Sequence, residues 1–155
     1  MKTLLSVLWL LLLLPLSSAT GPAGPPSLNF CGVELPVESG CAPASSTELA
    51  CTNYRLSWAY LDYKLMTAYP PEYIRLAKKA HKGAETQPFT CSLLDGPPAQ
   101  GTRLAYVTDN GMAYQYIVCA AVKGQPVLLD LTLSLEPEKT EDLPEVVRQI
   151  MRLEK

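Results

Sequence analysis

The sequence has few charged side chains and only one histidine, His81, among its 155 residues. Charged residues make up 18% of the chain, against about a quarter in typical globular proteins. The formal net charge of −2 argues against general nucleic-acid binding, which requires a basic surface. Beyond residues 4–16 there is no second long apolar segment, and this excludes a polytopic membrane protein.

Sequence motifs for catalysis and metal binding are also missing. There is no C-x-x-C pair, G-x-S-x-G, H-E-x-x-H or glycine-rich phosphate loop. His81 has no neighbouring carboxylate in the sequence, which makes it a poor catalytic candidate. We therefore predict no catalytic residue, no metal ligand and no cofactor, and a hydrolase using His81 as its base is the less favoured alternative.

The amino terminus has the pattern of a secretory signal peptide. Lys2 precedes the apolar run at residues 4–16, and Ser17-Ser18-Ala19 follows it. An uncleaved anchor helix is the alternative, but the run is shorter than the roughly 20 residues that span a bilayer. Pro15 would also break such a helix. We expect a signal peptide at residues 1–19, a secreted or periplasmic protein, and no transmembrane span after cleavage.

The rest of the chain divides into a leader and one domain. Residues 20–29 are rich in proline and glycine, with nothing to bury, and predict a flexible leader. No internal repeat or second domain is visible, so residues 30–155 are predicted to form a single domain.

Export would place five cysteines in an oxidising compartment, where thiols tend to pair. An odd number leaves at least one without an internal partner, and the sequence alone does not choose among the pairings. A bridge between Cys91 and Cys119 would join two predicted strands, whereas a bridge nearer the amino terminus would restrain a loop-rich segment. The disulfide candidates are Cys31, Cys41, Cys51, Cys91 and Cys119.

Hydrophobic periodicity predicts an α+β domain. Residues 54–60 alternate as a strand, and residues 71–82 form a two-sided helix with Tyr73, Leu76, Ala77 and Ala80 on its apolar face. Residues 89–94 also alternate and lead towards strands at 102–108, 112–122 and 127–135. Asp109-Asn110-Gly111 and Lys123-Gly124 provide the turns between these three.

The carboxy-terminal segment predicts a final helix. Asp142 and Glu145 form a variant of the capping box, and the apolar positions from Leu143 to Leu153 recur at helical spacing. The expected order is strand, helix, three strands and helix. This order predicts an antiparallel β-meander with both helices packed on one face, preceded by a cysteine-bearing amino-terminal segment. The strand at 127–135 is expected to be half-buried.

One face of the first predicted helix carries a basic stripe. It consists of Arg75, Lys78, Lys79 and Lys82. The stripe could recognise an anionic partner, or it could be a solvated face whose cations favour the carboxy-terminal end of the helix dipole. All eight tyrosines lie between Tyr54 and Tyr116, where they could line a binding surface or pack in strands.

The element order over residues 54–153 resembles that of the PsbP-like and DcrB-like α+β sandwich proteins. Two pieces carry the resemblance. The first is the strand pair around Asp109-Asn110-Gly111 and Lys123-Gly124-Gln125-Pro126-Val127-Leu128-Leu129, and the second is the predicted closing helix Leu143-Pro144-Glu145-Val146-Val147-Arg148-Gln149-Ile150. The resemblance implies an accessory or binding protein, generally without enzymatic chemistry, and it transfers no functional residue.

These observations together favour an exported, non-enzymatic interaction protein. The simplest form of this hypothesis is binding to a protein partner. The alternative is a carrier that holds a small apolar ligand between helix and sheet, near Tyr73, Leu76 and the strand at 127–135.

Overall fold

Strands dominate the structure, a computed structural model that describes residues 27–154. The predicted signal peptide lies outside these residues. The strands are β1 (Ser27–Phe30), β2 (Val33–Pro36), β3 (Cys41–Ser45), β4 (Glu48–Cys51), β5 (Tyr54–Tyr60), β6 (Glu85–Leu93), β7 (Pro98–Thr108), β8 (Gly111–Val122), β9 (Gln125–Leu133) and β10 (Met151–Glu154). The helices are α1 (Tyr69–Ala80) and α2 (Glu145–Arg148), with 3-10 turns at Tyr63–Leu65 and Thr140–Asp142.

Eight strands form one antiparallel sheet in the order β10-β6-β7-β8-β9-β5-β4-β3, and β1 pairs with β2 in a separate hairpin. The predicted turns are confirmed. Asp109-Asn110 joins β7 to β8, and Lys123 and Gly124, with φ of 48° and 79°, join β8 to β9. The predicted combination of an antiparallel sheet with helices is therefore confirmed.

The sheet is covered on both faces. On the face that we call the hairpin face, Leu129 and Leu131 of β9 pack in one core with Phe30 of the β1–β2 hairpin and Val146 of α2. On the opposite face, called the helix face, Leu128 packs with Tyr73, Ile74 and Ala77 of α1. Because side chains alternate along a strand, the two helices lie against opposite faces, rather than on one face as predicted.

Strand β9 is buried on both faces, although the sequence predicts it as half-buried. It lies between β8 and β5, and α1 covers the face that the alternation assigns to solvent. Leu128 and Asp130 are therefore buried like Leu129 and Leu131. The predicted outermost core position, Leu135, lies beyond the strand and is 80% exposed.

Helix α1 confirms the predicted amphipathic segment with a rotated apolar face. Tyr73, Ile74 and Ala77 are partly buried against the sheet, whereas Leu76 is 50% exposed. His81, the residue after the helix, is half-buried. The side chains that face the sheet therefore include Ile74 and His81 in place of the predicted Leu76 and Ala80.

The predicted helix at 142–153 is wrong over most of its length. Only Glu145–Arg148 is α-helical, and β10 then pairs with the end of β6. The amide of Leu94 donates to the carbonyl of Ile150 over 2.7 Å, which directs the chain onto the sheet edge. Asp142 does not cap α2, because its carboxylate accepts from the amides of Glu138 and Lys139. Pairing with an open sheet edge outweighs the helical periodicity here.

The amino-terminal segment is more regular than its sequence predicts. Strand β1 begins within the expected leader, and its Leu28 is buried in the hairpin-face core. Cys41 and Cys51 face each other in the β3–β4 ladder and form a disulfide. The pairing of Cys91 with Cys119 does not form, because β7 separates their strands and the two thiols pack on opposite faces.

Candidate ligand-binding site

A buried carboxylate lies at the centre of the helix face. Asp130 is in the middle of β9, where Ile117 of β8 and Ser57 of β5 are its cross-strand neighbours. It is only 8% exposed. Tyr73 Oη and Gln115 Nε2 each donate to Asp130 Oδ2 over 2.7 Å. Burial raises the pKa of Asp130, and these two hydrogen bonds and the charges of Arg55 and His81 oppose the rise.

Gln115 forms the second part of the floor. It lies on β8 opposite Thr132, and it is also 8% exposed. Its amide nitrogen donates to Asp130, whereas its Oε1 atom is buried and has no hydrogen-bond partner among residues 27–154. A buried acceptor without a donor costs about 1–3 kcal/mol. This oxygen has almost no exposed surface, so an external donor reaches it when the Gln115 side chain turns towards the cavity.

Aromatic rings form one side of the site. The His81 ring stacks on Tyr106 of β7 with 3.6 Å between ring centroids and 11° between planes. Tyr73 lies on α1, and burial together with its bond to Asp130 raises the pKa of its phenol. Burial likewise raises the pKa of Tyr106. Both phenols are therefore neutral at physiological pH and act as hydrogen-bonding groups.

These side chains enclose an open cavity of about 400 Å³, which we call the Asp130 cavity. Tyr73 and His81 line it from the helical side, and Arg55, Tyr106, Gln115 and Asp130 line it from the sheet. Arg55 is exposed and forms an ion pair with Glu48. The volume is within the range of small-molecule sites, and the lining combines aromatic walls with a few convergent polar groups.

The strand register explains why these residues converge. Opposed residues in an antiparallel pair share a face. Ser57 lies opposite Asp130, Arg55 opposite Thr132, and Thr132 opposite Gln115. Residues distant in sequence therefore meet on the helix face.

Ser57, His81 and Asp130 all line the Asp130 cavity, a residue set typical of nucleophilic hydrolases. Such catalysis requires hydrogen bonds from serine to histidine and from histidine to aspartate. Across residues 27–154 the hydrogen bonds to the Asp130 side chain come from Tyr73 and Gln115, and the His81 ring stacks on Tyr106. The arrangement is thus suited to hydrogen bonding of a ligand more directly than to activation of a nucleophile.

A second cavity of about 350 Å³ lies on the helix face near the start of α1. Its lining is more apolar and includes Met66, Pro70, Pro71, Ile74, Ile117 and Cys119. We call it the Cys119 cavity. Burial raises the pKa of the Cys119 thiol, which keeps it in its less nucleophilic form.

The basic stripe does not converge on either cavity. Lys78, Lys79 and Lys82 are exposed, and Arg75 pairs with Glu72 of the same helix over 2.6 Å. Of the other cysteine candidates, Cys31 is a partly exposed free thiol in the β1–β2 turn, and Cys91 is a buried one whose pKa burial raises to about 12.

Asp130 and Gln115 were not among the candidate residues from the sequence. The signal that could have identified Asp130 is a lone charge within the apolar run from Val127 to Leu133. Gln115 interrupts the core of β8 in the same way.

Comparisons with known proteins give no family. A scan against protein-family models finds no match, and a search among curated proteins finds no relative of significant similarity. Within residues 27–154 no helix is long and apolar enough to cross a membrane. In the same residues, no three His, Cys, Asp or Glu side chains are grouped to hold a metal ion.

Proposed function

We propose that this chain is an exported, non-enzymatic binding protein that holds a small polar ligand in the Asp130 cavity. The observation that carries the proposal is the pair of buried polar side chains on its floor. Asp130 and Gln115 share one hydrogen bond, yet Gln115 Oε1 has no partner within the part of the chain that the structure describes. Buried polar groups in strands are normally satisfied, and one that lines an open cavity is where a ligand contributes most.

Export rests on the predicted signal peptide, and the Cys41–Cys51 disulfide is compatible with an oxidising compartment. The resemblance to PsbP-like and DcrB-like sandwiches implies the same class of accessory or binding role. A protein partner is the other form of this proposal, with the basic stripe as its surface.

The test is ligand retention by the mature protein purified from its host compartment. Native mass spectrometry should show a small extra mass that leaves on denaturation, and Asp130→Asn should reduce its occupancy. Asp95→Asn is the matched control, because Asp95 is exposed and does not line the cavity. A clean monomer mass together with no small-molecule binding would contradict the proposal, and a co-purified protein would favour a protein partner.

An apolar-ligand carrier is the second candidate, and the Cys119 cavity is the observation that favours it. The site expected near Tyr73 and β9 is polar, but the Cys119 cavity has apolar walls under the start of α1. Ile74→Gln would place an amide in that wall. Reduced retention of an apolar mass in Ile74→Gln, with Leu76→Gln unchanged as the exposed control, would support this candidate.

A further inference from the structure

The Asp130 cavity contains a carboxylate with no contacting counter-ion. Four ion pairs are present in residues 27–154, and none includes Asp130. Arg55, the arginine of the cavity lining, is paired with Glu48. A buried carboxylate is costly unless a partner charge compensates it. The cavity therefore has the charge of a cation site.

The floor of the Asp130 cavity has more hydrogen-bond acceptors than donors. Both hydrogen bonds from Tyr73 and Gln115 reach Asp130 Oδ2, so within the described chain no donor is assigned to Oδ1. Gln115 Oε1 is the second acceptor without a donor. A primary ammonium group supplies three N–H donors and no acceptor, which matches two free oxygens better than a hydroxyl or a carboxylate does.

The lining also favours an organic cation over a metal ion. Among the described residues that line the cavity, Asp130 is the only carboxylate, whereas hard metal cations in proteins require several oxygen ligands. The Tyr73 ring and the His81–Tyr106 stack provide aromatic walls against which the alkyl chain of such a ligand packs.

We propose that the Asp130 cavity binds the primary ammonium group of a small organic amine, with Asp130 as its counter-ion and Gln115 Oε1 as a second acceptor. This inference rests on the proposed binding function and specifies its ligand class. The titratable groups that face Asp130 are Tyr73 and His81 from the helical side, Arg55 from β5 and Tyr106 from β7. Arg55 disfavours a second cation beside its guanidinium, so the ammonium group is expected to bind at Asp130 on the floor of the cavity.

The experiment compares three probes with the same four-carbon chain at pH 8 and constant ionic strength. They are n-butylammonium chloride, sodium butyrate and n-butanol, each titrated into the full mature protein while amide NMR shifts are recorded. We expect n-butylammonium alone to shift the amides of Gln115 and Asp130. We expect Asp130→Asn to weaken that binding about tenfold or more, since a charge-assisted contact is lost. Asp95→Asn should leave it unchanged.

The outcomes separate the inference from the proposed function. If butyrate or butanol shifts the same amides and n-butylammonium does not, the ammonium class is wrong and the binding function stands. If no probe and no co-purified molecule binds, both fail. Unaltered n-butylammonium affinity in Asp130→Asn would also overturn the inference. Gln115→Met, which removes the acceptor at similar volume, provides a second variant and should also weaken binding.

Discussion

The phenol of Tyr73 on α1 donates to the carboxylate of Asp130 on β9 over 2.7 Å, and 57 residues separate the two in sequence. This bond attaches the helix to the centre of the sheet. It also fixes one wall of the Asp130 cavity relative to its floor.

Tyr73→Phe is expected to destabilise the fold by about 2 kcal/mol, because a hydrogen bond to a charged group is lost and Asp130 stays buried. Urea unfolding followed by circular dichroism measures this change. Tyr69→Phe is the matched control, since Tyr69 is an exposed neighbour on the same helix. Equal losses in the two variants would contradict the role of the Tyr73–Asp130 bond.

The free energy of unfolding should depend on pH through Asp130. In the unfolded chain its proton leaves near the ordinary aspartate value of about 4, whereas burial raises the pKa in the folded protein. The folded state thus binds more protons in this window, and stability falls as pH rises from about 4 through the folded pKa.

Asp130→Asn cannot titrate, so its stability should fall less than that of the wild type over the same range. Urea unfolding at several pH values from 4 to 8 tests this. The two proteins differ at this one side chain, so the comparison isolates the effect of Asp130. Asp95→Asn should follow the wild type, and parallel profiles for wild type and Asp130→Asn would disprove the assignment.

The number of free thiols tests the cysteine pairing of the structure, since the sequence alone leaves at least one cysteine without an internal partner. Cys41 and Cys51 are bonded, and Cys31, Cys91 and Cys119 are free. Alkylation of the unfolded, non-reduced protein should therefore modify three sites, and prior reduction should raise the number to five. A single modified thiol before reduction would indicate a second disulfide that the structure lacks. Intact mass spectrometry gives the count directly.

Gly101 is a position where only glycine fits. It lies opposite Phe89 in the β6–β7 ladder, and an added Cβ would come within 2.4 Å of the Phe89 ring and 2.8 Å of the Ile117 carbonyl oxygen. Gly101→Ala should cost about 2–3 kcal/mol, in the upper range for overpacking. Gly101→Ala combined with Phe89→Ala should lose less than the sum of the two single changes, because the ring clash is removed. Strict additivity, measured by urea unfolding, would contradict this explanation.

The basic stripe is expected to be independent of the fold and of the cavity. Lys78→Glu with Lys79→Glu should change stability by less than about 0.5 kcal/mol, as both side chains are exposed. The n-butylammonium affinity should also be unchanged. Pull-down from the host compartment then tests the stripe itself. An acidic partner bound by the wild type and lost in this variant would identify the stripe as a protein-binding surface.

The sequence predicts the elements that depend on local pattern. The strand at 54–60, the turns at Asp109-Asn110 and Lys123-Gly124 and the amphipathic character of α1 are confirmed because alternation, turn chemistry and helical spacing act over a few residues. The carboxy-terminal error has a non-local cause. An apolar residue such as Ile150 would be buried both in a helix and beside β6, so its sequence pattern does not distinguish the two. The free edge of β6, which is distant in sequence, selects the strand.

The local sequence pattern could not predict the candidate site for the same reason. Its parts come from β5, α1, β7, β8 and β9, and only the sheet register brings Arg55, Gln115 and Asp130 together. His81 also appears isolated in the sequence, whereas the structure stacks it on Tyr106. The local signs of the site were the lone aspartate in the apolar run of β9 and the glutamine within the core of β8.

The burial of β9 on both faces has a consequence for hydrogen exchange. Asp130 lies in a strand that is paired on both sides, so its amide is expected to exchange only when a large part of the sheet opens. A ligand bound at Asp130 stabilises the whole native state, and it therefore slows exchange in the most protected strands of the protein. The affinity of that ligand can then be measured from the exchange of amides far from the cavity.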